Sequence, residues 1–141
     1  MDNRTFLETW YRRVWFEEDL SAIDDMMAPK APVNGIDKTQ RIGPEDFKTF
    51  TATLLKLICD TNIVMEEFIE DGERVSVLMN ISANCRKTGT PLNFSGIAMG
   101  QIKDGKILYA HNYIDFITMF EQLGQLPDAT LAQCLSGHRL T

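Results

Sequence analysis

Between residues 62 and 115 the chain is interrupted at Asp71-Gly72, Thr88-Gly89 and Asp104-Gly105, and the runs between these breaks are rich in Val, Ile, Phe and Tyr. A glycine at such a break supplies the positive φ that tight hairpins require, so the flanking runs pair antiparallel. Residues 62–70, 74–87, 92–103 and 106–115 are thus predicted to form four hairpin-linked strands. A meander of that kind leaves an apolar face that other elements must cover.

The covering elements are written on either side of it. Thr5-Phe6-Leu7-Glu8 has the form of a capping box, and Phe6, Leu7, Trp10, Tyr11, Val14 and Trp15 then make a broad apolar stripe at helical spacing. Residues 21–27 read as a short helix stopped by Pro29, and residues 28–43 as a loop with an extended piece around Val33. Gly43-Pro44-Glu45-Asp46 opens another helix, with proline at its first position and carboxylates at the positive end of the dipole. Phe47, Phe50, Leu54, Leu57 and Ile58 continue it at helical spacing. Residues 116–123 return to helix before Gly124, and 126–135 suggest one more. The expected architecture is α+β: one domain over residues 1–141, with N-terminal helices packed in an antiparallel sheet and 128–141 as a peripheral C-terminal extension.

Charge and cysteine usage remove several classes of function. A net charge of −6 argues against nucleic acid as a partner, because neutralising phosphate needs a basic face. The three cysteines show no Cys-x-x-Cys spacing and only two histidines accompany them, so no metal site is expected. Reduced thiols, an N-terminus without a signal-like apolar run and no membrane-length stretch lead to a cytoplasmic expectation, with no membrane partner. Strict alternation along the last strand puts Ile107, Tyr109, His111 and Tyr113 on one face and Leu108, Ala110, Asn112 and Ile114 on the other. Neither row is charged. Both faces are therefore expected to be covered, one by helices and the other by a second copy in a homodimer.

The segments "FSGIAMGQIKDGKILYAHNYIDF" and "ITMFEQLGQLP", with the aromatic first helix and the Gly-Pro-Glu-Asp-Phe helix start, resemble the nuclear transport factor 2-like superfamily. The likeness is closer to its SnoaL-like polyketide cyclase family and covers residues 4 to 127. It implies a cone-shaped domain in which a strongly curved sheet wraps a long helix around an internal pocket, and homodimers formed through the outer sheet face. It also implies cofactor-independent cyclase, isomerase or hydrolase chemistry on an apolar cyclic or polyketide-like metabolite. Enzyme members often carry Trp-x-Asp on the final strand, which falls here on Ala110-His111-Asn112. The nearest counterpart of an Arg-x-Asp on an earlier strand is Arg74-Val75-Ser76. An amide does not exchange a proton near neutral pH, although it can donate or accept a hydrogen bond.

The candidate site residues follow from these readings. Histidine is the residue type suited to acid–base work near neutral pH, so His111 is either the catalytic acid–base group or a polar residue at the dimer face. Alternation sends it away from Asn112 unless a β-bulge intervenes. Asn112 is either a pocket group that orients a ligand oxygen or a hydrogen-bonded sheet residue. Asn80, in a row with Ser76, Ser82 and Asn84, belongs to a pocket wall or to an exposed face. Trp10 and Tyr11 are core or pocket wall. Ala110, at the place of the family tryptophan, and Ile97 complete the expected pocket set. Asp115 is accounted for as the cap of the helix that begins at Phe116. No cofactor is expected. The alternatives to an enzyme are a non-catalytic binder of a small hydrophobic ligand and a dimeric accessory module.

Overall fold

The computed structural model describes residues 1–37 and 39–141. Helix α1 (Asn3–Tyr11) runs into a π-helical turn (Arg12–Phe16) and is followed by α2 (Ser21–Met26), β1 (Val33–Asn34) and α3 (Pro44–Leu54). Strands β2 (Ile58–Asp71), β3 (Arg74–Cys85), β4 (Pro91–Lys103) and β5 (Lys106–Ile114) come next, then α4 (Phe116–Gln122) and α5 (Thr130–Leu135). The sheet order is β1-β5-β4-β3-β2. Its four long strands form the expected antiparallel meander, but β1 adds to β5 in parallel, with Val33 opposite Ala110 and Asn34 opposite His111. The sheet is therefore mixed rather than wholly antiparallel.

Bulges give the sheet its curvature. On β2, Asp60 and Thr61 together oppose the single residue Ala83, and Glu66 is an extra residue between Met65 and Glu67. On β5, Leu108 is extra between Ile107 and Tyr109. Each inserted residue bends its strand and increases the local twist. The helices fill the concave side, where Val14, Ala22, Ile23 and Met119 have no exposed surface. An aromatic chain links them: Trp10 stacks on Phe47 at 6.2 Å, Phe47 on Phe50 at 6.3 Å, and Phe50 meets the edge of Phe116 at 6.2 Å. Such pairs add to the stabilisation that comes from area burial alone.

Two local signals resolve differently from their sequence reading. Helix α1 starts at Asn3, so Thr5 lies within its first turn and its N–H donates to the Asp2 carboxylate at 2.8 Å. Glu8 pairs with Arg4 at 3.4 Å instead of completing a capping box. Helix α3 stops at Leu54, because Arg86 reaches in from the β3–β4 hairpin and donates to the Leu55 carbonyl at 2.7 Å and the Ile58 carbonyl at 2.9 Å. Ile58 therefore begins β2. At the other end of the meander, Asp115 caps α4 by accepting from the Thr118 N–H at 3.1 Å. Gln122 then continues the β ladder with its side chain, accepting from the Asn93 N–H at 2.8 Å and donating to the Asn93 carbonyl at 2.9 Å. That exchange gives the Gln-Leu-Gly ending a structural reason. Helix α5 is held to α4 through Thr130, whose N–H donates to Glu121 at 3.2 Å, while Leu131 and Leu135 are exposed. Among the described residues, no helix is long and apolar enough to cross a membrane.

Candidate functional site

The concave face encloses two adjoining compartments. Counting space open to solvent, the first has about 580 Å³ and the second about 500 Å³. The room inside them for water-sized molecules is smaller, about 60 Å³ and about 50 Å³. Trp10, Tyr11, Phe47 and Asn112 border both. Trp15 from the π-helical turn, Phe50 from α3, Phe94 from β4 and Phe116 from α4 add aromatic rings to the first compartment, beside Ile58, Ile63, Met79 and Ile81 of the sheet. The second lies toward β1 and the start of β5, against Leu7, Val33, Val77 and Ala110.

Asn112 reaches this interior through the register of β5. It pairs with Ala98 of β4, which shares the inward row with Gly96 and Gly100. The chain just after β1 closes on the same point: a Cβ at Gly35, whose φ is +90°, would collide with the Asn112 carbonyl oxygen. Only glycine allows that approach. Tyr11 is buried against the aromatic wall, and burial alone pushes its phenol above the ordinary tyrosine pKa. Tyr11 is thus held as a neutral hydroxyl, able to donate a hydrogen bond and poorly able to act as a base.

Several expected residues lie elsewhere. His111 is on the convex face, opposite Met99, with its ring against the edge of Tyr109 at 5.8 Å. The bulge that β5 does contain sits at Leu108, before the histidine, and it turns Ile107 inward to 6 % exposure instead of turning His111. Ile97, opposite Tyr113, is 51 % exposed on that same outer face. Asn80 is outward too, accepting a hydrogen bond from the Asn93 amide at 2.6 Å, because the alternation of β3 sends Met79 and Ile81 inward. The interior therefore brings together Trp10, Tyr11, Ala110 and Asn112, and leaves His111, Asn80 and Ile97 outside it.

Sequence reasoning missed Thr61. It borders the first compartment and is 1 % exposed, and its hydroxyl has no hydrogen-bond partner among the described residues. A polar pair, Asp60-Thr61, where an alternating strand should begin was the available signal. Among the described residues lining that compartment none is an Asp, Glu, His, Lys or Arg. Apart from indole N–H groups, its polar side chains are Tyr11, Thr61 and Asn112. Among the described residues, no group of three or more His, Cys, Asp and Glu side chains is gathered as metal ligands would be.

The profile of the SnoaL-like polyketide cyclase family matches residues 5–123. No curated protein matches the chain. Among solved structures, a candidate polyketide cyclase from Acidithiobacillus ferrooxidans is similar at 18 % identity and a TM-score of 0.73, covering 89 % of this chain and 99 % of that one. AclR, a candidate hydroxylase from Streptomyces galilaeus, is similar at 20 % identity and a TM-score of 0.74, with 89 % and 86 % covered. IdmH, a candidate polyketide cyclase from Streptomyces antibioticus, reaches 17 % identity and a TM-score of 0.71, with 87 % and 99 % covered. At such identities the likeness is one of fold.

Proposed function

The chain belongs to the SnoaL-like polyketide cyclase family, and from that premise we propose that it is a cyclase-type protein acting on a neutral, conjugated cyclic or polyketide-like ligand. The observation that carries the reading is an aromatic compartment whose described lining has no ionised side chain. A charged ligand would lose its hydration there without a partner, whereas a flat neutral one would exchange water for ring contacts. Tyr11 and Asn112 would serve as donors to a ligand carbonyl, polarising it and fixing its orientation. In a ring closure of this kind the ligand's own enol carbon attacks the polarised carbonyl carbon. A carbon–carbon bond forms, the carbonyl π bond opens, and the enol proton ends on the new hydroxyl. No protein carboxylate takes part, in keeping with asparagine at the place of the family aspartate. The same lack of a base favours a second reading, a binder without turnover, because proton abstraction from carbon requires a base.

The convex face supports self-association. Val64, Ile69, Ile97, Met99 and Tyr113 are each more than half exposed on it, at 54, 67, 51, 51 and 65 %. A patch of that composition is the kind that pairing of two copies buries, and His111 would lie at its edge. The partner proposed for this face is a second copy of the chain.

Trp10 and Trp15 sit in the compartment wall, so entry of an oxygenated aromatic ligand should quench their emission. The test is a titration with neutral cyclic polyketides, followed by chromatographic analysis of products. Asn112→Ala should weaken binding about five- to tenfold, the worth of one hydrogen bond. His111→Ala should leave binding unchanged. Absence of quenching with every such ligand would remove the reading. Binding without product would select the second one.

A further inference from the structure

Thr61 is brought inward by a local departure from regular strand geometry. Ile58 points into the core, so plain alternation would send residues 60 and 62 inward and Thr61 out to solvent. The bulge at Asp60-Thr61 reverses that, with Asp60 in the left-handed region at φ +52°. Left-handed backbone is unfavourable for a residue other than glycine, and aspartate is among the few that tolerate it. The outcome is a threonine at 1 % exposure that borders the aromatic compartment and whose hydroxyl is unpartnered among the described residues. Buried hydroxyls in folded proteins are ordinarily hydrogen-bonded, and an unpaired one destabilises the fold that holds it. Thr61 and its neighbour Tyr11 also border an open surface groove lined by Glu8, Arg12 and Phe16. They therefore stand between that groove and the interior.

We infer that Thr61 is a ligand-contacting, specificity-determining residue. Its hydroxyl hydrogen-bonds a hydroxyl or carbonyl oxygen carried by the ligand at the end nearest the groove. The inference rests on the reading of the compartment as a ligand site and narrows the ligand class. An unsubstituted aromatic hydrocarbon fills the space without pairing Thr61; an oxygenated one of the same shape pairs it. A second orphan hydroxyl serves as the internal control. Thr51 on α3 is equally buried and equally unpartnered, yet it borders neither compartment.

The experiment uses 1-naphthol and naphthalene as matched probes on the full chain, read by tryptophan quenching and by thermal unfolding. Wild type should bind 1-naphthol more tightly than naphthalene. Thr61→Val, which keeps the shape and removes the hydroxyl, should lower 1-naphthol affinity about five- to tenfold. It should leave naphthalene affinity unchanged and raise the ligand-free melting temperature by about 3 °C. Thr61→Ser should keep the preference for 1-naphthol. Thr51→Val should raise the melting temperature and change neither affinity. If naphthalene binds but Thr61→Val leaves the 1-naphthol preference intact, the inference fails while the ligand site stands. A lowered melting temperature with unchanged binding would assign Thr61 to the scaffold and overturn it as well. If neither probe binds, the site reading and this inference fall together.

Discussion

Strands β2 and β3 lie side by side along their whole length, yet only one of them can be read from its letters. Along β3, Val75, Val77, Met79, Ile81, Ala83 and Cys85 are buried and every residue between them is more exposed. Along β2 the inward residues are Ile58, then Thr61, Ile63 and Met65, then Phe68, so the inward row changes parity at Asp60-Thr61 and again at Glu66. The regular strand supplies a smooth wall. The irregular one supplies the curvature of the wall and its unpaired hydroxyl. Where the ladder is unbroken the side chains do packing; where it is broken they are re-aimed, and re-aiming is what a site needs.

The difference can be broken most forcefully on β3. Val77 is 2 % exposed in the inward row, so Val77→Asp buries an unpaired carboxylate and should cost more than about 4 kcal/mol, enough to prevent folding. On the outward row of the same sheet, Ile97→Lys with Tyr113→Lys should change the monomer's unfolding free energy, from urea curves, by less than about 1 kcal/mol. If the convex face pairs two copies as proposed, wild type should sediment as a dimer and that double variant as a monomer. A dimer that survives both lysines would place the contact elsewhere.

The next effect is a pH dependence. The unfolded chain releases a tyrosine proton near pH 10, whereas the fold keeps the Tyr11 proton to higher pH, because burial disfavours the phenolate. Stability from this group is complete below about pH 10 and falls as the pH rises further, by at most about 1.4 kcal/mol per pH unit. Tyr11→Phe should flatten that fall in denaturation curves taken through the alkaline range. An equally steep fall in the variant would show that Tyr11 is not its source.

The smallest effect sharpens the account of the bulge. At φ +52°, Asp60→Gly should be neutral to within about 0.5 kcal/mol, since relief of backbone strain offsets the hydrogen bond that Asp60 accepts from Asn84 at 3.2 Å. A β-branched residue has neither recourse. Asp60→Val should cost about 2 kcal/mol and weaken 1-naphthol binding, as Thr61 loses its fixed direction. Equal stability of the two variants would mean that the bulge relaxes freely.

What the amino-acid order determined is much of what depends on neighbours a few residues apart, although the Thr5–Glu8 capping box did not form. The Asp-Gly and Thr-Gly turns, the stripe from Phe6 to Trp15, the Pro44 helix start and the Asp115 cap are local arrangements of φ, side-chain period and orphan amides, and they settle the α+β layout. Periodicity also sorted Ala110 and Asn112 onto the face opposite His111 without saying which face is concave. Tertiary structure decided the rest: where α3 ends, which side of the sheet His111, Ile97 and Asn80 occupy relative to the cavity, and that Thr61 belongs to its wall. The reason lies in what fixes a bulge. An extra residue in a strand is stable only against a partner strand that lacks it and a core that rewards the new direction, and both are contributed by residues far away in the chain.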